Sequence, residues 1–460
     1  MIFDNVTVIT MNARRQILTQ GAVVVKANRI AAVGKSGEIL SRFPDQAVIP
    51  CNGNVLMPGL IDTHVHTAQA MIRGCADDLG LIDWLGKRVW VLQGNYSEED
   101  GRASAALCAL EMIQSGTTAF LECMLAERYG FDGVAEVVLQ SGMRAAIAKI
   151  VMDLPSYAKI EGFMHSGMVE DGRTSVDNTL AAHKKWNGAG EGRIQVWFGP
   201  RTPGGATLEL YDEIGALAEE RGMGITIHLS EVREDLEYAR SQGFRSPAEL
   251  ALAHHLLGPR TVLAHCVWTD EADWKIFTQT GTTIAHNPAS NSKCASGIAP
   301  VHRMLQAGVN VALGCDGGPS NNTYDLMRDL RLASYLANLR ENDPTVVPAE
   351  AVLEMATLNG AKALGLDREI GSIEPGKRAD FILIDMDKPH LTPCWDPVST
   401  VAYCAHGSDV DTVVIDGRIV MQGRKVLTLD EEVVVEEARR RAPEVARRAG
   451  LDIGPRWPVV

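Results

Sequence analysis

The stretch PGLIDTHVH occupies residues 58–66. A short apolar run leads into two histidines, His64 and His66, one residue apart. Alternate residues of a strand point to the same side, so both imidazoles can reach one ion. Two hydrogen-bonded histidines at a strand end would look the same. The rest of the chain has to separate these readings.

The same design recurs downstream. TTAFLEC, RAAIAKIVMD, RIQVWFGP, GITIHLS, TVLAHCV, TTIAHNP and NVALGCD are further apolar, mostly β-branched segments. Helical stretches such as EDGRASAALCALEMIQSG and TLELYDEIGALAEERG separate most of them, often with glycine at the helix end. Near-continuous apolar strands alternating with helices indicate a buried parallel sheet. Eight such units predict an α/β fold of the (β/α)8 TIM-barrel type. An open doubly wound sheet is the alternative, but no GxGxxG turn follows the first strand.

Polar residues collect at the C-terminal ends of these strands. His64 and His66 end strand 1, His228 strand 5, His265 strand 6, His286 strand 7 and Asp316 strand 8. Five of the twelve histidines therefore fall where a barrel gathers its active site. Imidazole and carboxylate suit Zn2+ or another first-row divalent ion. A catalytic ion keeps one position for water and lowers its pKa to roughly 7. Glu231, three residues past His228, can fold back over such an ion and carry protons. His265 is either a further ligand or a second proton carrier.

The two ends of the chain differ from the middle. Residues 1–57 and 366–430 hold short β patterns with tight turns, among them IDGRIVMQG with its turn at Asp416-Gly417. Together they predict one small β-sandwich, with the barrel spanning 58–365 and a helical tail over 431–460. The RRRA run near 440 reads as a solvated helix face. A net charge of −14 argues against a nucleic-acid or anionic-membrane surface. The N-terminal MIFDNVTVITMN reads as a strand rather than a secretory leader. The nine cysteines contain no CxxC pair, which points to reduced thiols and a cytoplasmic protein.

Taken together, PGLIDTHVH, HLSE, LAHCV, HNPASN, GCDGGPSNN and GSIEPGKRADFILID resemble the amidohydrolase superfamily across nearly the whole chain. The likeness is to the branch of S-adenosylhomocysteine/methylthioadenosine deaminases and s-triazine hydrolases. It implies one divalent ion, Zn2+ ahead of Fe2+, Co2+ or Mn2+, held by His64, His66, His228 and Asp316. It implies proton handling by Glu231 and His265 beside Asp316, with Ser320 supporting the site. Strand 4 ends in VWFGPRT without a lysine, so a single ion is implied; Lys149, inside strand 3, reads as a buried or rim partner. A homo-oligomer, dimer or tetramer, also follows from the resemblance.

The implied activity is hydrolytic deamination of an amino-substituted N-heterocycle of s-triazine, pterin, purine or pyrimidine type. The alternative is displacement of chloride, alkylamine or thiol, or cleavage of a urea, carbamate or thiocarbamate. Trp84 and Gln93, in the segment after strand 1, are candidate pocket residues: an indole can stack a planar ring and a carboxamide can read its polar edge. Arg201, His286 and Ser320 complete the expected substrate-binding set. Gln93 stands where adenosine-type enzymes carry a glutamate, and GPRTP replaces their GPHSP. Both departures speak against a nucleoside substrate.

Overall fold

A computed structural model of the chain describes residues 1–160 and 162–459. All eight segments form strands. They are β1 Leu60–His66, β2 Thr117–Leu125, β3 Arg144–Val151, β4 Ile194–Pro200, β5 Ile225–Leu229, β6 Thr261–His265, β7 Thr283–His286 and β8 Asn310–Leu313. Each pairs in parallel with the next. After Gly314 and Cys315 the last strand continues as Asp316–Gly317, which pairs in parallel with Val65 and His66 of β1. One broken strand thus touches both β7 and β1, and the sheet closes into a barrel.

The break in β8 has a steric cause. A Cβ on Gly314 would lie 2.7 Å from the His64 Cβ and 2.4 Å from Asn287 Oδ1. Only glycine lets the strand pass that close. Thr63 Oγ1 donates to Leu313 O at 2.8 Å and ties the two strands at the same level.

The lower barrel is filled, not hollow. Ile61, Ala119, Leu121, Ala146, Ala148, Trp197, Val262 and Ala285 pack together with Ala361, Leu364 and Ile370. Small alanines on neighbouring strands make room for the Trp197 indole, in keeping with the layered interior of small barrels.

The chain ends share one nine-stranded mixed sheet. Val55–Pro58 lies beside Ile2–Ile9 in parallel and beside Phe381–Ile384 antiparallel. The sheet folds over its own apolar face, where Phe3, Val25, Leu56, Phe381, Leu383 and Val414 form a core. Its opposite face gives Ile382, Ile384 and Val413 to the barrel's core. The hairpin turn at Asp416-Gly417 joins Val410–Ile415 to Arg418–Gln422, with both turn residues at positive φ. A Cβ on Gly417 would sit 2.2 Å from Ala27 O, so glycine is required where the two ends of the sheet meet.

At the junction, Arg144 at the start of β3 pairs with Asp380 at 3.0 Å and Asp416 at 3.5 Å, while Arg378 holds Asp416 at 2.7 Å. The helix Glu431–Arg448 runs along the helix Glu98–Gln114. Of the arginine run, Arg439 and Arg440 are exposed, whereas Arg441 reaches the fully buried Asp100 at 3.1 Å. Arg448 pairs with the same carboxylate. The solvated-face reading therefore holds for two of the three arginines. No helix among the described residues is long and apolar enough to cross a membrane.

Candidate active site

The strand ends bring five histidines and two acids to one end of the barrel. His66 Nε2 lies 3.1 Å from Asp316 Oδ1, His64 Nε2 3.5 Å from the same oxygen, and His228 Nε2 3.2 Å from His66 Nε2. All four side chains are buried. Pairing between β1 and β2 slips between Asp62 and Val65, where His64 sits. Such a slip re-aims a side chain at the rim of a barrel.

Each group is fixed from behind. Arg201 O lies 2.9 Å from His228 Nδ1. A carbonyl only accepts, so that nitrogen carries the proton and Nε2 presents its lone pair. Ser290 Oγ donates to Asp316 Oδ2 at 2.5 Å. Ser320 exchanges hydrogen bonds with Gly317, the residue after Asp316, at 3.0 Å. Asp62 Oδ1 accepts from the backbone of His64 and Cys315 at 3.2 and 3.1 Å. His265 and Asp316 hold φ values of 71° and 70°, and Ser230 and Cys266 are also left-handed. Non-glycine residues kept in this region cost of order 1–3 kcal/mol each and cluster at functional sites.

Burial sets the charge states. It lowers the His64 pKa to about 3 and takes that of His228 well below 6.5, so both imidazoles are neutral at pH 7. Burial alone would raise Asp316, but hydrogen bonds from His64 and His66 outweigh it and hold the carboxyl well below 3.8. Neutral imidazoles around an ionised carboxylate are the states a divalent ion requires. Donors about 2.0–2.1 Å from a tetrahedral ion are separated by roughly 3.3 Å, which the observed spacings match.

Glu231 approaches from beyond β5. Its Oε2 lies 3.5 Å from His265 Nε2, and its Oε1 accepts from Ser296 Oγ at 3.1 Å. Asp235 Oδ2 holds the Glu231 backbone N–H at 2.8 Å. Burial raises the Glu231 carboxyl above its ordinary 4.5. His265 Nδ1 lies 2.9 Å from Asn291 Oδ1. One ring nitrogen of His265 also falls within 4.8 Å of donors on His64 and Asp316, so geometry allows it either role. His286 is buried, with its pKa lowered to about 3 and its Nδ1 without a partner among the described residues. Lys149 points away from this cluster, to Glu170 at 2.5 Å and Ser175 at 3.3 Å.

The expected pocket residues are distributed differently. Trp84 is buried and its indole N–H donates to Pro319 O at 3.3 Å. Gln93 is buried against Gln69 at 3.4 Å. The Arg201 guanidinium lies 5.8 Å from the Trp90 ring centre, and Trp90 packs 5.4 Å from Phe163 and 6.3 Å from Tyr157. Arg201 is 4% exposed, yet its Nε has no partner among the described residues, nor has Trp90 Nε1. Sequence reasoning passed over Trp90, Tyr157, Phe163, Ser290, Asn291 and Ser296. A π-type turn over Leu85–Val89 changes the helical phase between Trp84 and Trp90, and the residue pattern carries no mark of it.

The family model for the amidohydrolase family matches residues 55–420. A 5'-deoxyadenosine deaminase of Methanosarcina acetivorans is 39% identical over 98% of this chain and 99% of its own length. The chain belongs to the amidohydrolase family. A 5-methylthioadenosine/S-adenosylhomocysteine deaminase of Pelotomaculum thermopropionicum is 37% identical over 97% of the chain and 99% of that relative. A solved adenosine deaminase from Xanthomonas campestris with bound zinc superposes with a TM-score of 0.90, at 28% identity, over 97% of this chain and 98% of that one. Gln93 and Arg201 argued against nucleosides, yet these relatives are named for adenosine-type compounds.

Proposed function

We propose that this member of the amidohydrolase family is a metal-dependent hydrolytic deaminase of amino-substituted N-heterocycles. The convergence of His64, His66, His228 and Asp316 on one buried space, with Glu231 and His265 beside it, carries the reading. Those four residues would hold one divalent ion, and the all-nitrogen-and-oxygen set with neutral imidazoles favours Zn2+. When bound, the ion supplies an acidified water as nucleophile.

The chain's own groups do the rest. Glu231 takes a proton from the attacking water and gives it to the ring nitrogen beside the reacting carbon. His265, oriented by Asn291, supports the second proton transfer, to the departing amine. Water adds, ammonia leaves, and the ring keeps a carbonyl. Burial of every participant excludes bulk water and strengthens each contact.

Arg201 supports a narrower substrate class. A buried guanidinium whose Nε lacks an acceptor among the described residues suits a heterocycle bearing an oxo or anionic substituent, stacked near Trp90 and Phe163. Nucleoside relatives keep adenosine-type compounds in the candidate set. Tyr335 and Leu339, four residues apart on the helix Leu326–Glu341, leave apolar surface exposed and support a homo-oligomer. Nine cysteines without a disulfide suit a reducing compartment such as the cytoplasm.

The test is a screen of adenosine-type nucleosides, oxo-aminopurines, pterins, pyrimidines and s-triazines on metal-assayed protein. Ammonia release matching substrate loss is the expected result. Turnover of an aminoheterocycle without ammonia would overturn the deaminase reading.

A further inference from the structure

Tyr157 stands between two working parts of the site. It lies on the segment after β3, which is tied to the turn following Arg201. Ser156 Oγ donates to Gly204 O at 2.7 Å, and the Ala158 N–H donates to Pro203 O at 3.2 Å. A Cβ on Gly204 would lie 2.6 Å from Ala158 O, so glycine permits the approach. The phenol ring then packs 6.3 Å from the Trp90 ring and 6.4 Å from that of Phe163, and Trp90 is the ring that faces the Arg201 guanidinium.

The hydroxyl points out of that aromatic wall. Tyr157 Oη donates to Asp235 Oδ1 at 3.1 Å. The other oxygen, Asp235 Oδ2, accepts the backbone N–H of Glu231 at 2.8 Å and that of Val232 at 3.4 Å. Capping the helix Arg233–Ser241 uses Oδ2; Oδ1 takes its partner from the pocket wall. One buried carboxylate thus joins that wall to the peptide that carries the proton carrier. The peptide is a strained one, because Ser230 just before Glu231 holds a φ of 52°. Ser296 restrains only Glu231 Oε1, so the aim of Oε2 at His265 depends on how the backbone is held. A misplacement of about 1 Å can cost about 10^2-fold in rate.

We propose that Tyr157 is a positioning residue, its ring forming part of the wall for the heterocycle and its hydroxyl, through Asp235, setting the aim of Glu231. The inference rests on the deaminase reading of this site. It divides one side chain into two functions: the ring serves binding and the hydroxyl serves rate.

Tyr157→Phe separates them, since it keeps the ring and removes the hydroxyl. The probes are adenosine, guanine, pterin, cytosine and melamine, and variants are compared on the one that wild type turns over fastest. In Tyr157→Phe, kcat for ammonia release is expected to fall about fivefold, while KM changes less than about twofold. Asp235→Ala should also lower kcat, and adding Tyr157→Phe to it should lower kcat no further. Metal content should match wild type throughout. Hydrogen exchange at the Glu231 and Val232 amides needs no substrate and should be about fivefold faster in Tyr157→Phe. An unchanged kcat in Tyr157→Phe overturns the proposal and leaves Tyr157 a structural partner of the helix cap. So does an equal fall on the wild-type and Asp235→Ala backgrounds, or unchanged exchange at Glu231. The single variant and the exchange decide even if Asp235→Ala fails to fold. Wild type that releases no ammonia from any probe would instead overturn the deaminase reading, and exchange then decides whether Tyr157 holds Glu231.

Discussion

Two clusters of buried charge sit at opposite ends of the barrel strands. Below, Arg144, Arg378, Asp380 and Asp416 pair with one another, and Asp380 also accepts the backbone N–H of Asp416 at 2.7 Å. Above, the clustered groups leave atoms over. Asp62 Oδ2, His64 Nδ1, His286 Nδ1, Asn287 Oδ1 and Arg201 Nε are buried without a partner among the described residues. A buried polar atom left unpaired costs about 1–3 kcal/mol. The lower cluster joins two parts of a fold and is complete within the protein. The upper one is incomplete within the protein, as expected of a site built for an ion and a substrate.

The largest effect should come from the upper cluster. His66→Ala is expected to lose the ion and reduce turnover by more than the about 10^2–10^4-fold expected of Glu231→Gln, which removes only a proton carrier. Metal analysis and steady-state assays on the same preparations check it; unchanged turnover in His66→Ala would refute the metal mechanism. Folding should be affected little.

The lower cluster should behave in the opposite sense. Asp380→Ala leaves Arg144 buried with a weakened partner set and should cost about 3–5 kcal/mol of stability. Denaturant unfolding would measure this, with metal content and kcat of the remaining folded protein unchanged. Loss of activity without loss of stability would erase the distinction between the two ends.

Arg201→Met should raise KM for an oxo-substituted or anionic substrate about tenfold or more, in line with about 1.5–3 kcal/mol for a hydrogen bond to a charged group. Substrates lacking that substituent should be affected much less. An equal effect on both would limit Arg201 to orienting His228 through its carbonyl.

Asp235, which steadies Glu231 from behind, gives the smallest effect. Burial raises its pKa from 3.8 to about 7, with the charge of Glu231 adding to the shift. A raised carboxyl binds its proton more tightly in the folded state. Its stabilising contribution is complete below pH 3.8 and is lost as pH rises through about 7. Asp235→Asn should therefore show a flatter stability profile between pH 4 and 7 than wild type. Parallel profiles in thermal melts would count against this reading.

Much of this was legible in the residues. Eight apolar segments, the histidine or aspartate at five of their C-terminal ends and the Asp416-Gly417 turn are local patterns, and local patterns survive in a linear chain. Trp90 and Ser290 escaped because their partners come from other strand ends: Arg201 lies over Trp90 and Asp316 accepts from Ser290. Trp84 was named and Trp90 was not, and the wide turn over Leu85–Val89 between them leaves no mark in the residue pattern.

Residue chemistry and strand alternation were enough to say which donors exist, on which strand ends, and that they suit a divalent ion. Distance, protonation and burial needed the closed barrel. His64 and His66 meet Asp316 because the last strand, broken at Gly314, pairs with β1 as well as β7. His228 offers Nε2 because Arg201, on another strand end, turns its carbonyl to Nδ1. Alternation acts between neighbouring residues, whereas barrel closure couples strands separated by a hundred residues or more, so no single segment encodes it.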